Sequence, residues 1–393
     1  MKKTIKDYDL KNKKVIIRCD FNVPMKDNII TDDTRIKASL KTINYALDNG
    51  ASVILLSHLG KVKEESDKKK NNLYPVSVRL SKLLNKKVIF SEDTRSESLT
   101  NLASNLQAGE VLLIQNTRYE DLFGKLESNC DLELAKYWAS LGDIFINDAY
   151  GTLHRAHASN VGISKYLPNG IGFLIEEEIT KIDSIINENT HPFVVIMGGA
   201  KVSDKIKVIE NLITKCDKLL VGGGMAYSFL KALDYNIGAS ICDVDSIDFC
   251  KNILNKYQDK IVLPTDSLVS KKIESNEYEI KDISNFEKDD MGLDIGPKTI
   301  KLFCDNLITS KRVIINGPMG MFENSNYEKG TSSIYNFLID NNIKTLVGGG
   351  DSVSAANKLS DPNKFYHIST GGGATLEYLE GKTLPGIATI NDK

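Results

Sequence analysis

The sequence predicts an α/β protein of two lobes, each a parallel β-sheet flanked by helices, with one helix as a hinge between them. Three observations carry this. Short apolar runs alternate with helix-length amphipathic stretches almost throughout, the runs end in small or polar residues, and 393 residues suit two compact domains.

In the first half the apolar runs are Val15–Ile17, Val53–Leu56, Lys87–Phe90, Val111–Ile114 and Asp143–Ile146. In the second half they are Phe193–Met197, Lys218–Val221, Ile261–Leu263, Val313–Ile315, Thr345–Val347 and Tyr366–Ile368. Continuous apolar runs of this length suit strands covered on both faces. Helix-length segments between them make βαβ units and hence parallel sheets. Gly, Asn, Asp, Ser or His follows the runs, and open parallel sheets bind ligands at the carboxyl ends of their strands.

A boundary falls near residue 170, where Pro168-Asn169-Gly170 has turn chemistry. Beyond it, Ile175, Ile179, Ile182 and Ile186 form one helical face within Phe173–Asn187, and Glu176, Glu177 and Glu178 suit the positive end of a helix dipole. The expected division is 1–171, a joining helix over 172–187, 188–374, and a tail over 375–393. The charged stretch Lys61–Asn72 is expected to be a solvated loop.

Composition narrows the function. Hydrophobic residues make up 41 % and charged residues 26 %, as in an ordinary globular protein, and the net charge of −2 calls for neither nucleic acid nor an anionic membrane. No apolar run is long enough to span a bilayer, and MKKTIKDYDLKNKK lacks the apolar core of a signal peptide. The six cysteines are scattered, without zinc spacing, and are expected to be free thiols in a reducing cytoplasm. Arginine is scarce, 7 residues against 43 lysines, and six of the seven precede residue 160. A planar fork grips phosphates and carboxylates, so each arginine marks a place to look.

The first half sets Arg18, Asp20, His58, Arg118, His154, Arg155 and His157 at strand ends, with Arg35 nearby. Together they suggest a pocket for a small acid with more than one negative group. The second half repeats another device four times: a strand ending in glycines, at Gly198-Gly199, Gly222–Gly224, Gly348–Gly350 and Gly371–Gly373. Glycines between strand and helix let backbone N–H groups approach an anion. No G-x-G-x-x-G and no G-x-x-x-x-G-K-[ST] occurs, which argues against a nicotinamide dehydrogenase, a Walker-type NTPase and a protein kinase. A nucleotide remains the expected ligand, because Lys201 and Lys205 follow the first glycine pair four residues apart and would share one face if a helix began there. Asp351 ends a glycine loop, where a hard oxygen ligand could hold Mg²⁺.

At these same residues the sequence resembles the phosphoglycerate kinase family. Arg18–Pro24 reads RCDFNVP, Ser57–Gly60 SHLG, and Asn147–Ser159 NDAYGTLHRAHAS. Gly198–Lys205 reads GGAKVSDK, Asp294–Pro297 DIGP, Asn316–Glu323 NGPMGMFE, Gly348–Ser352 GGGDS, and Ser369–Leu376 STGGGATL. The order of the motifs along the chain is the family's. The resemblance implies two Rossmann-like lobes, the N-terminal one binding 3-phosphoglycerate or 1,3-bisphosphoglycerate and the C-terminal one binding ADP or ATP with Mg²⁺. It implies acid contacts at Asp20, Phe21, Asn22, Arg35, His58, Leu59, Gly60, Lys61, Arg118 and Arg155. It implies nucleotide contacts at Lys205, Gly292, Glu323, Gly349, Gly350, Asp351 and Ser352, with Glu323 on the ribose and Asp351 on Mg²⁺. Arg35, Lys201, Gly371 and Gly372 would meet the phosphoryl group in transit. It also implies a monomer whose tail returns to the N-terminal lobe. Two departures stand out: the family's Arg after SHLG is Lys61 here, and its E-N-x-R is Gln115-Asn116-Thr117-Arg118.

The implied chemistry suits the residues. A β-phosphate oxygen of ADP attacks an acyl phosphate, or in reverse a carboxylate attacks ATP, and both nucleophiles are already ionised. No general base is needed, only in-line positioning and positive charge, with water kept out as the lobes close. A two-lobed solute-binding protein is the rival outside the enzymes.

Overall fold

A computed structural model describes every residue of the chain except 276. The described residues form two compact units: Met1–Thr180 with Thr383–Lys393, and Lys181–Lys382. The division falls inside the helix Phe173–Ile186.

In the first unit the strands are β1 (Lys14–Arg18), the short hairpin β2 (Met25–Lys26) and β3 (Ile29–Ile30), then β4 (Ser52–Leu56), β5 (Val88–Ser91), β6 (Val111–Ile114), β7 (Ile144–Asn147) and β8 (Asn169–Ile171). Six of them form one sheet in the order β5-β6-β4-β1-β7-β8, every pair parallel. Alternate side chains explain the continuous apolar runs. Val15, Ile17, Val53, Leu55, Val111 and Leu113 enter one core, while Ile16, Ile54, Leu56, Leu112 and Ile114 enter another on the opposite face.

The second unit contains β9 (Phe193–Met197), β10 (Lys218–Val221), β11 (Ile261–Val262), β12 (Asp266–Ser270), β13 (Glu279–Asp282), β14 (Met291–Ile295), β15 (Arg312–Asn316), β16 (Lys344–Val347) and β17 (His367–Ile368). Its main sheet runs β11-β10-β9-β15-β16-β17, again parallel. Counted within that sheet this is the order 3-2-1-4-5-6 of a doubly wound nucleotide-binding fold. The first unit differs by placing its fourth strand between its second and third.

Several local expectations change. Asn169-Gly170 belongs to the edge strand β8, not to a turn. Its pairing is non-local: Asn169 N donates to Asn391 Oδ1 (3.0 Å) and Ile171 N to Lys3 O (2.9 Å). Part of the charged stretch after Lys61 is the exposed helix Glu65–Lys70, nucleated by a reciprocal cap between Glu64 and Asp67. The antiparallel sheet β13-β12-β14 was not legible in the apolar pattern, because β13 (EIKD) is half-exposed and carries few apolar residues. Asp266 at the start of β12 caps the helix Pro297–Leu307 by accepting from Lys298 N (2.9 Å) and Thr299 N (2.7 Å).

The single tryptophan, Trp138, is fully buried in the core of the first unit, and its Nε1 donates to Thr94 O (2.8 Å). Trp138→Ala leaves a cavity and an unpaired carbonyl, with an expected loss of about 3–5 kcal/mol. Urea unfolding followed by circular dichroism measures it; a loss under about 1 kcal/mol would contradict this packing.

Candidate active site

In the first unit Arg18, Arg118 and Arg155 lie at or beyond the carboxyl ends of β1, β6 and β7, His58 follows β4, and Arg35 sits in the first turn of the helix Thr34–Asp48. Arg18 ends β1 and is fully buried. Its Nε donates to Ser159 Oγ (2.8 Å), Nη1 to the Cys19 carbonyl and Nη2 to His58 Nδ1 (3.3 Å). A guanidinium only donates, so His58 accepts at Nδ1 and keeps its ring proton on Nε2. Asp20 Oδ1 stands 4.0 Å from the same nitrogen, and Asp20 Oδ2 accepts from Arg35 Nη1 at 3.0 Å. Burial, and then the charges of Arg18, Arg118, Arg35 and Arg155, hold His58 well below its ordinary 6.5. The ring is therefore neutral, and its approach to Asp20 is not an ion pair. The charges of Arg18, Arg118, Arg35 and Arg155 all reach this imidazole, and Asp20 stands beside it; these residues form one cluster.

Main-chain bonds lock the two loops that line it. Phe21 N donates to Ser57 Oγ (2.8 Å), Gly60 N to Asn22 Oδ1 (2.8 Å), and Leu59 N to Asn116 Oδ1 (3.1 Å). Phe21, Leu59 and Gly60 thus tie the segment after β1 to the segment after β4, and that segment to Asn116. Arg118 is held by Asp121 Oδ2 (2.6 Å) and Ser128 Oγ, while its buried Nε meets no acceptor among the described residues. Lys61 is exposed and lines an open cleft together with Arg118. Arg155 is exposed, with Nε donating to His154 Nε2 (3.1 Å).

In the second unit the chain order reverses between β9 and β15, the place where a doubly wound sheet opens a ligand crevice. Backbone crowding there explains the glycines. A Cβ on Gly198 would stand 2.1 Å from the Pro318 carbonyl oxygen. Gly317 has φ +107°, and a Cβ on it would come 2.6 Å from Lys205 Nζ. That Nζ donates to Gly198 O (2.6 Å) and Asn316 O (2.7 Å), bridging the ends of β9 and β15. The enclosed ammonium is lowered to about 8 by desolvation, against which the charge of Asp351 acts.

A slot of about 520 Å³ opens here, lined among others by Gly199, Ala200, Tyr227, Gly292, Glu323 and Asp351. Gly349 and Gly350 lead β16 into the helix Gly350–Leu359, with Asp351 in its first turn; Ser352 Oγ accepts from Gly317 N (2.5 Å). The slot thus brings together Gly292, Glu323 and Asp351, with Lys205 within their field. Lys201, Gly371 and Gly372 do not line it. Gly371 N donates to Ser369 Oγ (3.3 Å) ahead of the helix Gly373–Leu379. Lys201 and Lys205 do not share a helical face, because the helix begins only at Ile206, after a tighter turn over Ser203–Lys205. Lys201 is exposed, whereas Lys205 folds back onto carbonyls.

Residue-by-residue reading missed four contributors. Asp121 restrains Arg118, and Tyr227 and Ser267 join hydroxyls (2.7 Å) along the slot. Glu127, fully buried, accepts from Ser159 N (2.9 Å) and Ser159 Oγ behind the arginines. Glu127 lies in a Lys/Glu-rich stretch that reads as surface charge, and nothing local marks it as internal.

An arginine-rich pocket at the strand ends of one α/β unit, and a glycine-walled slot at the strand reversal of the other, define a kinase. The phosphoglycerate kinase family profile matches residues 5–382. The chain is 55 % identical to phosphoglycerate kinase of Enterococcus faecalis and 54 % identical to that of Staphylococcus aureus, over all of this chain and all of each relative. Solved phosphoglycerate kinases from Coxiella burnetii (35 % identical, TM-score 0.90, 99 % of this chain and 98 % of that one) and Pyrococcus horikoshii (30 %, 0.83, 98 % of each) share the fold. The chain belongs to the phosphoglycerate kinase family, and its reaction is the glycolytic phosphoryl transfer between 1,3-bisphosphoglycerate and ADP.

Lys205 also makes a stability prediction. Below about pH 8 its ammonium is charged in both folded and unfolded chains, so its burial cost is fully present. Between about 8 and the ordinary 10.5 the unfolded chain holds the proton more tightly, so this residue's contribution to stability rises with pH. Lys205→Met lacks that gain. In urea unfolding, its stability relative to the wild type should fall across that window; a constant difference would contradict the enclosure of the ammonium.

Proposed function

We propose that the unit Met1–Thr180 with Thr383–Lys393 binds 3-phosphoglycerate or 1,3-bisphosphoglycerate, and that the unit Lys181–Lys382 binds ADP or ATP. The observation that carries the first assignment is the set of four guanidinium groups acting on the neutral His58. A phosphate and a carboxylate on a three-carbon acid supply the negative charge such a pocket lacks. Arg35, Arg118, Arg155 and Lys61 grip the anionic ends; Asp20 orients Arg35, and Asn22 holds the loop at Gly60.

For the nucleotide, Glu323 and Gly292 line the slot where a base and ribose would lie, and Gly349–Ser352 offers backbone N–H groups at a helix start. Lys205, released from the carbonyls of Gly198 and Asn316, turns to the phosphates. Asp351 is the residue that would hold Mg²⁺. The slot lining offers it a single nearby carboxylate besides Glu323 and Asp294, and Asp294 already accepts from Gly330 N (2.6 Å) and Ile295 N (2.9 Å). One carboxylate with nucleotide phosphates is the usual Mg²⁺ environment, so the donor set fits an ion that arrives with the nucleotide. Bound there, Mg²⁺ would neutralise charge on the phosphate oxygens. Lys201, Arg35 and the amides at Gly371 and Gly372 carry the rest of the charge developed in transfer. No group has to remove a proton. A monomer working in the cytoplasm is part of the same proposal; no helix among the described residues is long and apolar enough to cross a membrane.

A coupled assay on single variants tests the assignments. Arg118→Ala should raise the KM for 3-phosphoglycerate by about tenfold or more, the scale of losing a charge-assisted contact, with the nucleotide KM unchanged. Lys201→Ala should cut kcat by about 10²-fold or more while the nucleotide KM moves only a few-fold. An intact acid KM in the first variant, or a change confined to KM in the second, would overturn the respective role.

A further inference from the structure

Glu127 has no part in the roles assigned so far, yet it is the one carboxylate set directly behind the buried arginine. It has no exposure to solvent. Its Oε2 accepts from Ser159 N (2.9 Å), its Oε1 from Ser159 Oγ, and its main-chain carbonyl from Ala158 N (2.9 Å). Ser159 Oγ accepts in turn from Arg18 Nε (2.8 Å). His157 Nδ1 stands 3.8 Å from Oε1. The path then continues through Arg18 Nη2 to His58 Nδ1 (3.3 Å), on the pocket wall.

We infer that Glu127 is a positioning residue for the acid substrate, acting through Ser159 to hold the Arg18 guanidinium and, through it, the His58 ring. The inference rests on the assignment of the acid pocket to this unit.

Three features support it. Arg18 is as buried as Glu127, and its other partners, the Cys19 carbonyl and the His58 ring, carry no charge. A buried cation needs a counter-charge, and Glu127 and Asp20 are the carboxylates whose fields act on it, Glu127 the more strongly. Asp20 already accepts from Arg35. The hydroxyl of Ser159 has one proton, which goes to Glu127; its lone pair is thereby directed at Arg18 Nε, fixing the plane of the fork. Finally, burial drives the Glu127 carboxyl upward and the Arg18 guanidinium downward, and the charge of each works against the other's shift. Without the Glu127 carboxylate the Ser159 hydroxyl loses its acceptor and no longer keeps its lone pair aimed at Arg18 Nε, so the fork and the His58 ring bonded to it lose their fixed orientation.

Interactions that hold the acid equally in the ground and transition states change KM and spare kcat. Glu127→Gln keeps the shape and removes the charge. Its KM for 3-phosphoglycerate is expected to rise by about tenfold, with kcat within about threefold and the nucleotide KM unchanged. Ser159→Ala keeps both charges and breaks only the link, and is expected to shift the same constant by about threefold. Arg118→Ala serves as control in the same assay. If Arg118→Ala leaves the acid KM unchanged, the pocket assignment fails. If Arg118→Ala raises it and folded Glu127→Gln does not, the role of Glu127 alone is overturned. Acid and nucleotide KM rising together in Glu127→Gln would show a merely structural residue and overturn it equally. Should Glu127→Gln not fold, an unchanged acid KM in Ser159→Ala overturns the inference.

Discussion

Crowded positive charge is the constraint on which the unit Met1–Thr180 with Thr383–Lys393 depends. Arg18, Arg35, Arg118 and Arg155 all bear on His58. Repulsion at this density would open the fold unless the charge were answered. The protein answers it in two ways. Carboxylates meet individual arginines: Asp20 takes Arg35, Asp121 takes Arg118, and Glu127 backs Arg18 through Ser159. The histidines stay neutral, His58 well below its ordinary range and His157 down at about 3, in both cases first through burial and then through the neighbouring arginines. On the proposed reading, a multiply charged acid would meet the charge that remains, and neutral histidines would donate to it without adding to the repulsion.

The unit Lys181–Lys382 meets the opposite problem, too little space rather than too much charge. Where β9 and β15 separate, backbones approach so closely that Gly198 and Gly317 admit no side chain. Of the buried carbonyls there, that of Asn316 accepts from Gly198 N (3.0 Å), and Lys205 supplies one ammonium to both it and the Gly198 carbonyl. A phosphate that attracts Lys205 must replace bonds of this quality, so the lysine is preformed near its task without being free. Both units therefore meet their cations with their own oxygens, carboxylates in one and carbonyls in the other. This is electrostatic preorganisation, and it matches a reaction that needs charge and position instead of proton removal.

Much of this was legible in the sequence, and the limits are instructive. Strands such as Val53–Leu56 and Phe193–Met197 announce themselves because burial on both faces forces unbroken apolar runs. The arginines stand out because the chain otherwise prefers lysine. What failed was whatever depends on distant partners. Asn169-Gly170 looks like a turn until Asn391 and Lys3 pair with it. Four-residue spacing suggested that Lys201 and Lys205 point alike, but the helix starts too late for the rule to apply. Glu127 looks like surface charge, because the burial that defines it is created by Ser159 and Arg18, 32 and 109 residues away in sequence.

The protonation of His58 reports the charge crowding directly. In nitrogen NMR of the histidine-labelled protein, free of ligand, its ring should remain the neutral Nε2–H form at about pH 6, below its ordinary 6.5. Binding of 3-phosphoglycerate should draw the apparent pKa upward, because the anion cancels the arginine charges that hold it down. A His58 that titrates at the ordinary value in the free protein, and does not respond to the acid, would contradict the account.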